Sequence, residues 1–291
     1  MSPVAQVRAA ELIATRRAGA YHHVTFVAPG IAESARPGQF VAVAVGGPTS
    51  ANLLRRAFSI HKVTPSGTYG GTVDLVISAK GAGTQWLTAL RAHDTTDIVG
   101  PLGRPFPLPA EAAPCVLVGG GYGSAPLFWL AAALKERGCQ AHLVLGAATE
   151  SRLFGVVDAR RAGDSVHVTT DDGTAGTKGT VAAVLPAVFR ETGAVVAYAC
   201  GPMGMLRSVT EISAAHGAVA QVAVEEAMAC GVGVCMTCVI PVTGNDGLTR
   251  MVRSCAEGPV FRGDRIRWDA FDGGRCTVPE DAVGAQAMRS H

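Results

Sequence analysis

Four cysteines set as Cys230-x4-Cys235-x2-Cys238-x16-Cys255 constrain this chain more than any other feature. Three fall within one short loop, and the fourth returns from a later segment. A C-x4-C-x2-C…C spacing is that of a plant-type [2Fe–2S] site, where two irons with bridging sulfides need four thiolates. Gly231 and Gly233 let the backbone curl closely and aim its N–H groups at the sulfurs. Two other readings stand beside this one. A zinc site would normally show paired C-x2-C units, and only one such unit is present. Coincidental core cysteines are the third. Cys115, Cys139, Cys200 and Cys276 stand alone in the sequence. The N-terminal stretch has no apolar signal core, so disulfides are not expected and grouped thiols point to metal or redox chemistry.

The 291 residues suit two domains with a small appendage. With 48% hydrophobic and only 16% charged residues, the chain can fill a core. A formal net charge of +2 without a basic run gives no sign of a nucleic-acid surface. Residues 114–134 carry no charge, but Gly119, Gly120, Gly121, Gly123 and Pro126 interrupt them. That run reads as strand, turn and helix, not as a membrane span. A soluble cytoplasmic protein is expected.

The fold class expected is a β barrel plus α/β. Residues 1–108 hold β-like runs at 21–27, 39–45, 57–62 and 72–77 between glycines and prolines, as in a small antiparallel barrel. Pro101, Pro105, Pro107 and Pro109 mark a linker. Over 109–222, strands at 115–118, 142–145, 166–170 and 195–199 alternate with helices at 124–137, 180–190 and 203–216. That alternation is the pattern of a doubly wound parallel sheet. Residues 223–270 form a small cluster-bearing segment, and 271–291 a loose tail.

Four further stretches carry chemistry. Val116-Leu-Val-Gly119-Gly120-Gly121-Tyr122-Gly123-Ser124 runs from strand to helix, and its glycines allow a pyrophosphate to approach the helix N-terminus. Glycine turns also end many strands with no ligand. Cys200-Gly201-Pro202-Met203 closes a later strand, where such sheets form ligand crevices; Cys200 could touch a nicotinamide ring or simply pack. Arg55-Arg56-Ala57-Phe58-Ser59 offers an arginine for phosphate with an aromatic and a hydroxyl beside it. Lys80-Gly81-Ala82-Gly83-Thr84 is a possible cradle before a helix at 85–91. Taken singly, each also reads as a solvated basic turn or a structural glycine loop.

In this order the motifs resemble the ferredoxin reductase superfamily, and within it the electron-transfer subunits of class 1B dihydroorotate dehydrogenases. The resemblance spans roughly residues 5–270. It rests on Leu54-Arg-Arg-Ala-Phe-Ser-Ile60, Gly100-Pro-Leu-Gly103, Gly119-Gly-Gly-Tyr-Gly-Ser-Ala-Pro-Leu127, the run from Thr170 to Gly179, Cys200-Gly-Pro-Met203 and the run from Val224 to Cys238. It implies that FAD contacts Arg56, Ala57, Phe58, Ser59, Val76, Ile77, Ser78, Gly83 and Thr84. It implies that NAD(H), a diffusible substrate, contacts Gly119, Gly120, Gly121, Gly123, Ser124, Gly201, Pro202 and Met203, with Cys200 at the nicotinamide. Cys230, Cys235, Cys238 and Cys255 would ligate the cluster. The family usually has proline where Ala57 stands, and a lysine within the loop written here Gly81-Ala-Gly-Thr84.

The implied activity is electron relay between NAD and an FMN-containing catalytic subunit, by way of FAD and the cluster, in de novo pyrimidine (UMP) biosynthesis. The implied assembly is a two-plus-two heterotetramer, with no base for dihydroorotate on this chain. Two other functions fit: an FAD/[2Fe–2S] subunit of another NAD(P)-linked complex, such as a ferredoxin–NADP transhydrogenase-like enzyme or a sulfide dehydrogenase, and a non-catalytic zinc-bearing scaffold or regulatory module. Glu150 would repel a 2′-phosphate and favour NADH, with Arg152 pulling the other way. Met228, Val232, Val234 and Met236 are expected to make an apolar docking patch around the cluster loop.

Overall fold

The N-terminal alternation of apolar and polar residues closes on itself. In a computed structural model that describes residues 4–47, 49–272 and 275–284, six strands form an antiparallel barrel. They are β1 (Ala5–Ala18), β2 (Tyr21–Val27), β3 (Phe40–Val43), β4 (Arg56–Thr64), β5 (Thr72–Ile77) and β6 (Thr95–Leu102), in the order β1-β2-β5-β4-β3-β6. Alternation along β2 sends Val24 and Phe26 into the barrel core, where Ile31 of α1 (Pro29–Ser34) and Leu87 of α2 (Ala82–Ala89) join them. Strands β1 and β6 were not among the expected runs. The Ala-rich β1 reads locally as a helix former, but pairing with β2 on one side and β6 on the other overrides that preference. Pro101, expected in the linker, lies inside β6 near its end.

The second unit is a seven-stranded sheet. Its strands β7 (Pro114–Gly120), β8 (Gln140–Ala147), β9 (Ser165–Thr170), β10 (Thr177–Lys178), β11 (Val196–Cys200) and β12 (Val219–Ala223) run parallel in the order β10-β9-β8-β7-β11-β12. Strand alternation splits the core. Leu117, Leu143 and Leu145 pack under α3 (Ala125–Glu136) and α4 (Val156–Ala162). Val116, Val118 and Val144 pack against α5 (Leu185–Thr192) and α6 (Met203–Ala215) on the other face. The connections from β7 leave toward β8, whereas β11 lies on its other side, so the carboxyl ends of β7 and β11 flank a topological switch point. The linker is pinned between the units: Tyr198 Oη donates to the Pro107 carbonyl at 2.7 Å, and Phe106 N to the Pro37 carbonyl at 2.9 Å.

Beyond β12 the chain makes the cysteine loop, a hairpin of β13 (Val239–Thr243) and β14 (Thr249–Arg253), and then β15 (Val260–Arg262), which adds antiparallel to β12. The cluster-bearing segment therefore supplies an edge strand to the sheet. From Phe271, where a loose tail was expected, β16 (Phe271–Asp272) pairs with β17 (Arg275–Cys276). Arg267 pairs with Asp281 at 2.7 Å, and Val283 N donates to Thr249 O at 2.9 Å. Residues 273–274 and 285–291 of that expected tail lie outside the described residues. No helix among the described residues is long and apolar enough to cross a membrane.

Candidate functional site

A cleft of about 550 Å3 opens where the barrel meets the sheet. Strand β4 turns Ile60 into the barrel core and presents Ala57, Phe58 and Ser59 to the cleft. Arg56 also lines it; its Nη1 donates to the Leu54 carbonyl at 2.7 Å. A Cβ on Gly83 would stand 3.1 Å from Arg56 Nε, so glycine there lets the 80–84 loop lie against the guanidinium. Arg55 is committed elsewhere, donating to the Asp97 carbonyl at 2.8 Å and pairing with its carboxylate at 3.8 Å. Thr84 Oγ1 accepts from the N–H groups of Lys80 and Gly81 at 3.0 Å each, which shapes the loop and occupies that hydroxyl. Val76 and Ser78 line the cleft, whereas the side chain of Ile77 between them is fully buried in the barrel core. Period-2 alternation admits the first and third of that trio only.

A second cleft, about 430 Å3, continues over the switch point. Gly120, Gly121 and Pro202 line it, while Gly123, Cys200 and Gly201 line the first cleft. A Cβ on Gly123 would come within 2.5 Å of the Cys200 carbonyl oxygen, so only glycine lets the turn rest on the end of β11. Gly119 and Ser124 lie beneath the turn. Ser124 Oγ donates to the Gly121 carbonyl at 2.8 Å and lies 3.1 Å from that of Phe154, so its hydroxyl holds the turn in shape. Met203 packs into the α6 face of the core, and it is Met205 that lines the cleft. Arg152 and Asp171 also line it, but Glu150 faces a neighbouring groove beside Arg160. The side chain expected to repel a 2′-phosphate is thus outside this cleft. Tyr21 and Met205 escaped sequence reasoning because each reaches the cleft from an element chosen by tertiary packing. Burial pushes the Cys200 thiol up to about 12, so it stays protonated.

The cysteine loop curls through Gly231 (φ 71°), Gly233 (φ 83°) and Met236 (φ 58°). Cys230 Sγ accepts from Val234 N at 3.3 Å and Cys235 N at 3.5 Å. Partial burial raises the Cys230 thiol, but the N–H groups of Cys235, Val232 and Val234 outweigh it and bring it down to about 6. The Thr237 hydroxyl, 3.2 Å away, lowers that of Cys235. Cys238 and Cys255 are buried and hydrogen-bond to one another; burial first, then that partner, raises Cys255 to about 12. Ser254 N and Oγ both reach the Cys238 carbonyl, at 2.9 and 2.8 Å, tying the two segments together.

The thiols therefore stand as two pairs, Cys230 with Cys235 and Cys238 with Cys255. Among the described residues, no group of three or more His, Cys, Asp or Glu side chains is drawn together as a single-ion site. Two pairs fit a two-iron cluster, one pair to each iron, better than one tetrahedral zinc. Val232, Val234 and Met236 are 51, 78 and 53% exposed, whereas Met228 packs inward with Phe40, Leu102, Cys238 and Cys255.

Comparison with known proteins places these observations in a family. The sequence profile described as the iron-sulfur cluster binding domain of dihydroorotate dehydrogenase B matches residues 225–267. The dihydroorotate dehydrogenase B (NAD(+)) electron transfer subunit of Desulforamulus reducens is 34% identical over 85% of this chain and 93% of that protein. The corresponding subunit of Geobacillus kaustophilus is 39% identical over 81% of this chain and 88% of its own. A chain from the NADH-dependent reduced ferredoxin–NADP oxidoreductase structure superposes with a TM-score of 0.78 at 31% identity, covering 90% of this chain and 91% of that one. The ferredoxin reductase of carbazole 1,9a-dioxygenase, with a TM-score of 0.61 at 22% identity over 74% of this chain and 67% of that one, shares the fold. At this identity over four fifths or more of its length, the chain belongs to the family of dihydroorotate dehydrogenase B electron transfer subunits.

Proposed function

We propose that this chain relays electrons between NAD(H) and the catalytic subunit of a dihydroorotate-oxidising complex, in the pathway that makes pyrimidines. One observation carries the reading: Phe40 and Met228 line the barrel cleft and also pack with Cys238 and Cys255. A group in the cleft and one held by the cysteines would thus share Phe40 and Met228 as neighbours. When bound, FAD exchanges hydride with a nicotinamide and single electrons with a [2Fe–2S] cluster.

The chain's own residues hold and orient. Arg56 offers charge to the FAD phosphates; Ala57, Phe58, Ser59, Val76, Ser78 and Thr84 shape the walls of that cleft. Gly120, Gly121, Pro202 and Met205 receive the nucleotide, and the protonated Cys200 thiol packs where the ring arrives. Cys230, Cys235, Cys238 and Cys255 ligate the cluster. In this reading 1–108 is the FAD-binding unit, 109–222 the NAD-binding unit and 223–270 the cluster unit. The catalytic partner carries FMN, sits against Val232, Val234 and Met236, and completes a two-plus-two assembly.

Anaerobically purified chain should contain about two irons and two sulfides with one FAD. It should pass electrons from NADH to a dye, and oxidise dihydroorotate only once its partner is added. Stoichiometric zinc in place of iron, or dihydroorotate oxidation by this chain alone, would overturn the reading.

A further inference from the structure

Among the described residues, Lys80, Tyr122 and Glu225 alone border both clefts. They also hold one another. Tyr122 Oη donates a hydrogen bond to the Glu225 carboxylate. Lys80 Nζ stands 4.9 Å from the centroid of the Tyr122 ring, within cation–π range. Tyr21 meets the same ring edge-on at 5.7 Å and 62°, and its own hydroxyl is anchored on the Arg152 carbonyl at 2.8 Å. The Tyr122 ring is thus a partition between the cleft assigned to FAD and the cleft assigned to NAD(H), and it stays uncharged because burial, then Glu225, raises its hydroxyl.

Hydride transfer needs the reacting carbons within about 3–3.5 Å of each other. A ring standing between the clefts keeps a nicotinamide farther away than that. The adenosine and pyrophosphate half of the nucleotide meets Gly120, Gly121 and Ala147 within the second cleft and does not have to pass the ring. We propose that Tyr122 is a gate between the two clefts, latched by Glu225, which swings aside to admit the nicotinamide ring. Tyr122 is a positioning residue here and exchanges neither hydride nor proton. The inference rests on the proposed assignment of the clefts to FAD and NAD(H).

A latched gate lowers apparent affinity by the fraction of molecules that stand open, so removing the latch tightens binding of whatever must pass it. The measurement compares Kd for NAD+ and for ADP-ribose, which lacks the nicotinamide, on FAD-loaded protein. Tyr122→Phe, which keeps the ring and removes the hydroxyl, should tighten NAD+ about fivefold and leave ADP-ribose within about twofold. Glu225→Ala removes the latch from the other side and should do the same, keeping the test alive if either variant folds poorly. The double variant should shift NAD+ no more than one single variant, because both break one contact. NAD+ affinity that is unchanged or weakened in both single variants, or that shifts in step with ADP-ribose, overturns the gate alone. A wild-type protein that binds neither ligand overturns the cleft assignment, and the gate with it.

Discussion

Arg253 reaches across from the end of β14 to donate to the carbonyl oxygen of Gly233, 2.8 Å away, at the crest of the cysteine loop. Its other arm pairs with Glu257 at 2.6 Å, so the guanidinium is held before it grips the loop. Loss of this clamp should free the loop without removing a ligand. Arg253→Met should therefore release iron to a chelator several-fold faster than wild type, and amides of residues 230–236 should exchange with deuterium sooner. Unchanged iron release would show that the thiolates alone fix the loop.

The two neighbouring arginines of the barrel should differ sharply. Arg56 faces the first cleft, while Arg55 is spent on Asp97. Arg56→Ala should cost about 1.5–3 kcal/mol of FAD affinity, the worth of a charge-assisted hydrogen bond. Arg55→Ala should leave FAD binding close to wild type and lower the melting temperature slightly. Flavin retained per chain on dilution and filtration reads the first effect, and thermal unfolding the second.

The exposed side chains of Val232, Val234 and Met236 are an unusual apolar grouping to leave beside reactive thiols. Val232→Glu and Met236→Glu should abolish co-purification with the catalytic subunit while the visible spectrum and NADH-to-dye activity survive. Bleaching of the cluster with partner binding intact would place the docking face elsewhere.

Acid should weaken the seam between barrel and sheet. His61 Nδ1 sits 2.6 Å from the Ala125 carbonyl, which only accepts, so that nitrogen carries the proton. Burial lowers His61 and His23 below the ordinary 6.5, and Arg16 adds to this, while Asp74 and Asp158 pull less strongly the other way. In the unfolded chain both imidazoles bind protons near 6.5, before the folded ones do. Their contribution is therefore present above that pH and is lost as pH falls below it. The melting temperature should drop on acidification below about pH 6.5, and the slope should be shallower in His61→Gln. Equal slopes would assign acid sensitivity to other groups.

Local features of the sequence carried most of the site. The cysteine spacing, the glycine turn and the Arg56–Ser59 run each lie within a few residues, so their chemistry survives without knowledge of the fold. Features that depend on distant partners did not show. Nothing within Ala5–Ala18 announces a strand, because its partners are β2 and β6. Ile77 was grouped with Val76 and Ser78 because register, which sends it to the core, is set by pairing with β2. The motif points to Met203, and the structure puts Met205 in the cleft, because the rotation of α6 about its axis is fixed by the sheet beneath it. The tail from Phe271 looked loose by composition, yet Arg267 and Thr249 tie down its described part.

Strands β12 and β15 are neighbours in the sheet, and the whole cysteine-bearing stretch leaves from one and returns to the other. Its two ends are joined where Val224 N donates to the Pro259 carbonyl at 2.9 Å. The stretch therefore leaves the sheet and rejoins it at one place, while Cys238 and Cys255 rest on Phe40 and Leu102 of the barrel. Excising residues 229–257 and joining the ends by a tight turn would leave β12 beside β15 and keep Glu225 and Met228, which wall the clefts, but would take Ile240 out of the core on one face of the sheet. What remained would be a two-electron reductase without its one-electron outlet. Seen this way, the outlet is an insert between two paired strands whose first residues, Glu225 to Met228, also wall the cleft it drains.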